Sequence, residues 1–301
     1  MSYQKALLIY NPNSGNRKIP KILDEIIEIL IQKNILTTSI RLDDKLYKDL
    51  NDILKTYEYD IVIAAGGDGT IMMVAQAMLD SDVKKPLGVL GAGTCNNFAL
   101  NIGMPDDIMQ SAAIIAEGKS DYVDYGLAND KLFLSSIAAG VFAQISFETG
   151  QDIKERIGPL AYYLQGITQL NTIKVNDFEI TVDGLKYNKS AYLVMVLTGS
   201  NVGSMTGLME DEIKIKDGIF ELLVVNESNP IDLGELLLKV IRNEDISNSP
   251  SIEVFKGHEF EIDCKNPDIA VSIDGEKGPA LPIKIKVQQK ALNVLVAKKL
   301  K

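Results

Sequence analysis

The run Asp60-Ile61-Val62-Ile63-Ala64-Ala65 passes into Gly66-Gly67-Asp68-Gly69-Thr70 and then into a helical pattern from Ile71. A short apolar run that ends in a glycine turn predicts a buried strand feeding directly into a helix. Such a turn gathers backbone N–H donors at the positive end of a helix dipole, which suits phosphate. Asp68 sits in the middle of it. A carboxylate there repels a polyphosphate unless a cation or a basic group screens it, so the turn argues for a metal-nucleotide over bare phosphate.

The flanking sequence repeats this strand-to-helix order. Ala6 to Tyr10 reads as a strand closed by Asn11-Pro12-Asn13-Ser14-Gly15, and Ile22, Leu23, Ile26, Ile27, Leu30 and Ile31 recur at helical spacing until Asn34. Further strands are expected at Leu36 to Leu42 and Leu87 to Leu90. Helices are expected at Asp44 to Tyr57, Thr70 to Leu79 and Asp106 to Glu117, the last led by Pro105. The fold class that follows is α/β, a three-layer parallel nucleotide-binding domain over residues 1–125. Its loops Asn11 to Gly15, Gly66 to Thr70 and Gly91 to Asn97 all end strands and should converge on one sheet edge.

After Asp124 the pattern changes to strands spaced by turns, at Lys131 to Ile137, Phe178 to Val182, Ala191 to Leu197, Ile219 to Val225, Ile252 to Phe255, Glu259 to Asp263, Ala270 to Ile273 and Ile283 to Val287. Asp183-Gly184 is a hairpin signal. Helices are expected near Ile157 to Leu170 and Leu233 to Ile241. Residues 126–301 thus read as a β-rich sandwich domain.

Composition removes several function classes. Lys and Arg number 31 against 41 Asp and Glu, a net charge of −10 that disfavours nucleic acid and nonspecific attraction to anionic membranes. No stretch is long and apolar enough for a membrane span, and the start carries no signal-like core, so a cytoplasmic protein is expected. Cys95 and Cys264 lack metal-ligand spacing and read as reduced thiols.

Familiar catalytic signatures are missing as well. There is no Gly-x-x-x-x-Gly-Lys-Ser/Thr loop and no Gly-x-Ser-x-Gly elbow, and Gly91-Ala92-Gly93 matches only part of a dinucleotide fingerprint. His258, the sole histidine, starts an alternating strand with no second His four residues on. A base for a hydroxyl must then be a carboxylate or Lys, and Asp274-Gly275-Glu276, two acids flanking a glycine turn, is the best placed.

Taken in order, Asn11-Pro12-Asn13-Ser14-Gly15, Gly66-Gly67-Asp68-Gly69-Thr70, Gly93-Thr94-Cys95-Asn96-Asn97-Phe98-Ala99 and Asp274-Gly275-Glu276 resemble the diacylglycerol kinase catalytic-domain family, nearest to its soluble Gram-positive type. The likeness includes Phe147-Glu148-Thr149 and Gly158 to Tyr163. It implies an ATP- and Mg²⁺-dependent lipid kinase that converts diacylglycerol to phosphatidic acid at the inner face of the membrane. Asn11, Pro12, Asn13, Ser14, Gly15, Gly66, Gly67, Asp68, Gly69, Thr70, Thr94, Asn96 and Glu276 would serve the nucleotide. Asp274 matches the family's general base, and Asp68 its essential glycine-motif aspartate. Asp217, with carbonyls near Lys214 and Ile219, matches a Mg²⁺ site, and Asp124 and Glu276 match acids that connect this ion to the base through water. A homodimer is compatible with the resemblance.

The chain departs from the family at three places. Asn97 stands where an aspartate is frequent, Leu100 where a basic residue is frequent, and Lys216-Asp217 keeps one of two usual carboxylates. Two alternatives follow: an NAD kinase-like small-molecule kinase, or a catalytically impaired nucleotide- or lipid-binding regulator. The first is disfavoured because Asn226-Glu227 and Asn243-Glu244, the only Asn-Glu pairs, both lie deep in the second half. Lys154, Arg156, Ile157, Leu160 and Tyr163 are the expected membrane-facing patch, with an ordinary packed helix as the other reading.

Overall fold

A computed structural model describes residues 3–43, 46, 48–141, 174–201, 214–242 and 244–300. The expected helix at Ile157 to Leu170, the basic–apolar patch around Lys154, and the family-like segments at 147–149 and 158–163 lie outside the described residues. Two compact units form. The first is Met1–Asp124 with Gln289–Lys301, and the second is Tyr125–Gln288.

In the first unit, β1 (Gln4–Tyr10), β2 (Ile35–Arg41), β3 (Ile61–Gly66) and β4 (Leu87–Gly91) are parallel in the order β2-β1-β3-β4. Helices α1 (Lys18–Gln32), α2 (Leu50–Thr56), α3 (Asp68–Asp80) and α5 (Ile108–Glu117) connect them, with a short α4 (Asn97–Asn101) between β4 and α5. The chain leaves β1 toward β2 and leaves β3 toward β4, in opposite directions across the sheet. Right-handed crossovers then send α1 and α3 to opposite faces. Accordingly α1 packs with α5, and α2 with α3.

Every residue of β3 is buried because helices cover both faces, which is why this strand reads as unbroken apolar sequence. Truncating Ile63 to Ala would cost about 2–5 kcal/mol. On α1 the face that carries Ile19, Ile26 and Leu30 is buried, whereas Ile31 lies one step off it and is exposed.

The second unit is antiparallel. It contains β6 (Lys131–Phe133), β7 (Ser136–Gly140), β8 (Asn176–Val182), β9 (Leu185–Leu197), β10 (Phe220–Asn226), β11 (Ile252–Gly257), β12 (Glu259–Cys264), β13 (Val271–Ile273) and β14 (Glu276–Lys277), with α6 (Pro230–Ile241) after β10. The long β9 pairs with β8 along its first half and with β7 and β10 along its second. Phe133, Phe178 and Phe220 are fully buried in its core, and Phe133 meets Phe220 edge to face at 5.9 Å. Asp183 and Gly184 both take positive φ, as a two-residue hairpin turn requires.

Two strands run from one unit into the other, β5 (Ser120–Ala128) and β15 (Ile283–Leu295). The division differs from a cut into 1–125 and 126–301, because the chain after Gln288 rejoins the first unit. Val294 pairs with Leu87 of β4, and the Val296 N–H donates to the Lys119 carbonyl. The expected strand Lys131 to Ile137 is two strands, interrupted at Leu134 and Ser135, whose N–H groups are turned to a side chain. Of the helix expected at Asp44 to Tyr57, Leu50–Thr56 is helical, while residues 44, 45 and 47 lie outside the described residues.

Candidate functional site

Three strand-end loops of the first unit meet. The Ala92 N–H donates to the Gly66 carbonyl at 2.7 Å, and the Gly67 N–H donates to Ser14 Oγ at 3.3 Å. Asn11 Nδ2 donates to Thr70 Oγ1 at 3.4 Å, while Asn11 Oδ1 accepts the Asn13 N–H at 2.9 Å. The glycines are required by this crowding. Gly15 has φ +52 and a Cβ there would collide with the Ala92 carbonyl; a Cβ on Gly93 would lie 2.7 Å from Gly67 Cα. In the order β2-β1-β3-β4 the switch point falls between β1 and β3, and the loops after these two strands are Asn11 to Gly15 and Gly66 to Thr70.

Asp68 opens α3, with Gly67 as the N-cap. Its Oδ1 accepts the Phe98 N–H at 3.2 Å, at the start of α4. Burial pushes this carboxyl above the usual carboxylate range, against the backbone N–H groups of Phe98, Asn97 and Asn96, which favour the anion. Asn96 takes a left-handed conformation, φ 50, and its Oδ1 accepts the Gly93 N–H at 2.7 Å. Asn96, Asn97 and Thr70 are buried, as is Pro12 within the first loop. Asn13 and Thr94 are exposed, and Ser14, Gly67 and Gly69 are partly so. The side chains of Asn11, Asn96 and Asp68 therefore bond within the loop cluster itself.

The acids of the second unit have different settings. Asp274 turns the chain between β13 and β14 with φ 47, followed by Gly275 at φ 84. Its side chain is buried and accepts three backbone N–H groups: Leu134 on Oδ2 at 2.7 Å, and Ser135 and Ser136 on Oδ1 at 2.8 and 2.9 Å. Thr198 Oγ1 donates to the Leu134 and Ser135 carbonyls and so holds the same segment from β9's side. Glu276, two residues on, is exposed.

At the turn before β10, Asp217 Oδ1 accepts the Ile219 N–H at 3.0 Å, and both Lys214 and Asp217 are exposed. Below it lies Glu221, which carried no motif signal in the sequence. This side chain is 7% exposed, and Lys256 Nζ stands 3.6 Å from its Oε1. Burial pushes the Glu221 carboxyl up to about 7; Lys256 opposes the rise and Asp217 adds to it. Asp124 belongs to the first unit, where it is 3% exposed and its Oδ1 accepts the Lys290 N–H at 2.6 Å.

No set of three or more His, Cys, Asp or Glu side chains stands together as a metal cage among the described residues. At the Asp217 turn the donor chemistry, a carboxylate oxygen, is right for a hard ion such as Mg²⁺; its Oδ1 is engaged by the Ile219 N–H, and the Gly218 carbonyl lies 2.7 Å from His258 Nδ1. Among the described residues no helix is long and apolar enough to cross a membrane. Neither Cys95 nor Cys264 forms a disulfide among the described residues.

Fold and site together define a protein of two units: a parallel α/β unit with converging strand-end loops suited to phosphate, and an antiparallel unit carrying acidic turns. The family model for the diacylglycerol kinase catalytic domain matches residues 5–128, and that for the YegS C-terminal NAD kinase beta sandwich-like domain matches residues 135–296. A diacylglycerol kinase of Staphylococcus saprophyticus is 30% identical over 281 residues, covering 93% of this chain and 91% of the relative. One of Staphylococcus aureus is 32% identical, covering 93% and 88%. The chain belongs to the diacylglycerol kinase catalytic-domain family, and these relatives support a kinase. Two solved structures from Bacillus anthracis share the fold at TM-scores of 0.82 and 0.74, with 24% and 23% identity and 98% of each chain covered.

Proposed function

We propose that this chain is an ATP- and Mg²⁺-dependent lipid kinase that phosphorylates diacylglycerol to phosphatidic acid, in phospholipid metabolism at the inner face of the membrane. The observation that carries the reading is the contact of the three strand-end loops around Gly66 to Thr70, in a chain whose curated relatives are named diacylglycerol kinases.

Phosphoryl transfer draws on positioning and charge neutralisation more than on covalent help. Asn11 to Gly15, Gly66 to Thr70, Thr94 and Asn96 shape the ATP site, where amide donors take up phosphate charge. The lipid hydroxyl oxygen forms the new bond to the γ-phosphorus as the bond to the β-phosphate bridge oxygen breaks, releasing ADP. Asp274 accepts the hydroxyl proton. Three N–H donors fix its carboxylate, and a fixed acceptor suffices where the nucleophile needs little activation in a loose transition state. Asp217, with the carbonyls of Lys214 and Ile219, would hold Mg²⁺, which would supply positive charge, and Asp124 and Glu276 would be its outer acids, as the resemblance implies. A homodimer is compatible with these roles.

The test is to incubate purified protein with labelled ATP, Mg²⁺ and diacylglycerol in mixed micelles. Labelled phosphatidic acid is expected. Absence of labelled product with diacylglycerol, other neutral glycerolipids and sphingoid bases sinks the reading, and NADP formation from NAD would replace it with the small-molecule kinase.

A further inference from the structure

The awkward feature of the Gly66 to Thr70 loop is its carboxylate, and the geometry gives that charge a use. Asp68 is the first residue of α3, yet its Oδ1 accepts the Phe98 N–H of α4 at 3.2 Å. The N–H groups of Asn97 and Asn96 also favour its anion. The peptide planes around it are already close: a Cβ on Gly93 would lie 2.7 Å from Gly67 Cα, and Ala92 bonds back to Gly66. Asn96 Oδ1 closes the same turn onto the Gly93 N–H. One carboxylate thus links the two glycine loops where they cross.

We infer that Asp68 is a positioning residue: its carboxylate pins residues 96–98 to the start of α3, so that the two loops hold one fixed arrangement for the nucleotide phosphates. The backbone N–H groups offset part of the cost of burying its charge and direct that charge toward residues 96–98, which lessens the repulsion a free carboxylate would exert on a polyphosphate. This rests on the reading of the loop cluster as an ATP site, and it adds the way in which Asp68 serves that site. A side chain with one remaining oxygen acceptor, Asn, should keep part of the pin, since Asn caps backbone N–H groups nearly as well as Asp. Ala keeps none of it.

The experiment compares wild type, Asp68→Asn and Asp68→Ala in two measurements. The first is amide hydrogen exchange over residues 96–98, which reads the pin without any activity. The second is calorimetric binding of a non-hydrolysable ATP analogue with Mg²⁺, together with KM for ATP and kcat. Exchange at Phe98 should accelerate at least tenfold in Asp68→Ala and less in Asp68→Asn, with exchange in β1 and β3 unchanged. Analogue affinity should fall about tenfold or more in Asp68→Ala and about threefold in Asp68→Asn, with the larger kinetic effect in KM.

Equal exchange at residues 96–98 in all three proteins overturns the pin. So does intact analogue binding in both variants with kcat lost equally, because Asp68 would then act on the reacting groups directly. Wild type that binds no analogue overturns the ATP reading by itself, and the exchange data then still decide whether Asp68 holds α4.

Discussion

The Leu134 N–H donates to Asp274 Oδ2 at 2.7 Å across 140 positions of sequence. With Ser135 and Ser136 on the other oxygen, the carboxylate replaces the strand partners that these N–H groups lack where β6 gives way to β7. The proposed base is therefore also a structural tie, and its substitution has two consequences.

Asp274→Asn turns an amide NH₂ toward at least one of these N–H donors. A loss of about 1–3 kcal/mol is expected from a buried donor without an acceptor, measured by urea denaturation, alongside loss of lipid phosphorylation. Thr198→Val removes a buried hydroxyl bond from the same segment and should cost about 1 kcal/mol while most turnover is kept. Equal loss of turnover in both variants would assign the effect to the segment and not to the carboxylate's chemistry.

Gly15→Ala puts a methyl group against the Ala92 carbonyl in a left-handed conformation, whereas Gly103, also at positive φ, has open space around it. Gly103→Ala should cost about 1 kcal/mol from backbone conformation alone. Gly15→Ala should cost more and weaken binding of an ATP analogue at least tenfold. Unchanged analogue affinity in Gly15→Ala would remove Asn11 to Gly15 from the nucleotide site.

Glu221 makes stability depend on pH in a stated direction. Its carboxyl rises to about 7 in the fold against an ordinary 4.5, so the native state holds its proton where the unfolded chain has released it. Stability from this group is full below about 4.5 and is lost as pH rises through about 7, on the order of 2–3 kcal/mol. Glu221→Gln should flatten this part of the curve, measured by thermal unfolding between pH 5 and 8. A slope identical to wild type would show that Glu221 does not titrate there.

Glu276 is exposed on its turn, so Glu276→Gln should change stability by less than about 0.5 kcal/mol. Reduced turnover at that unchanged stability is expected if it serves the metal-linked network. Wild-type turnover would take it out of the site.

Much of the fold was legible because the signals are local. Buried β3, the helical face of α1 and the Asp183-Gly184 hairpin follow from period, burial and turn chemistry within a few residues. α4 was not legible, since five residues carry no periodicity. Glu221 was missed for a different reason: one acid in an otherwise apolar strand looks like an exposed position, and only burial on β10 beside Lys256 distinguishes it.

What the sequence alone determined is the alternation of strands and helices, the change to strands spaced by turns after Asp124, and the loops that need glycine, because each depends on neighbouring residues. Only the tertiary structure decided that Gln289–Lys301 rejoins the first unit, that Asp68 bonds to α4, and that Asp274 holds Leu134 to Ser136. Each of those is a pairing between distant segments, and no local pattern encodes which N–H a carboxylate will meet once the chain has closed.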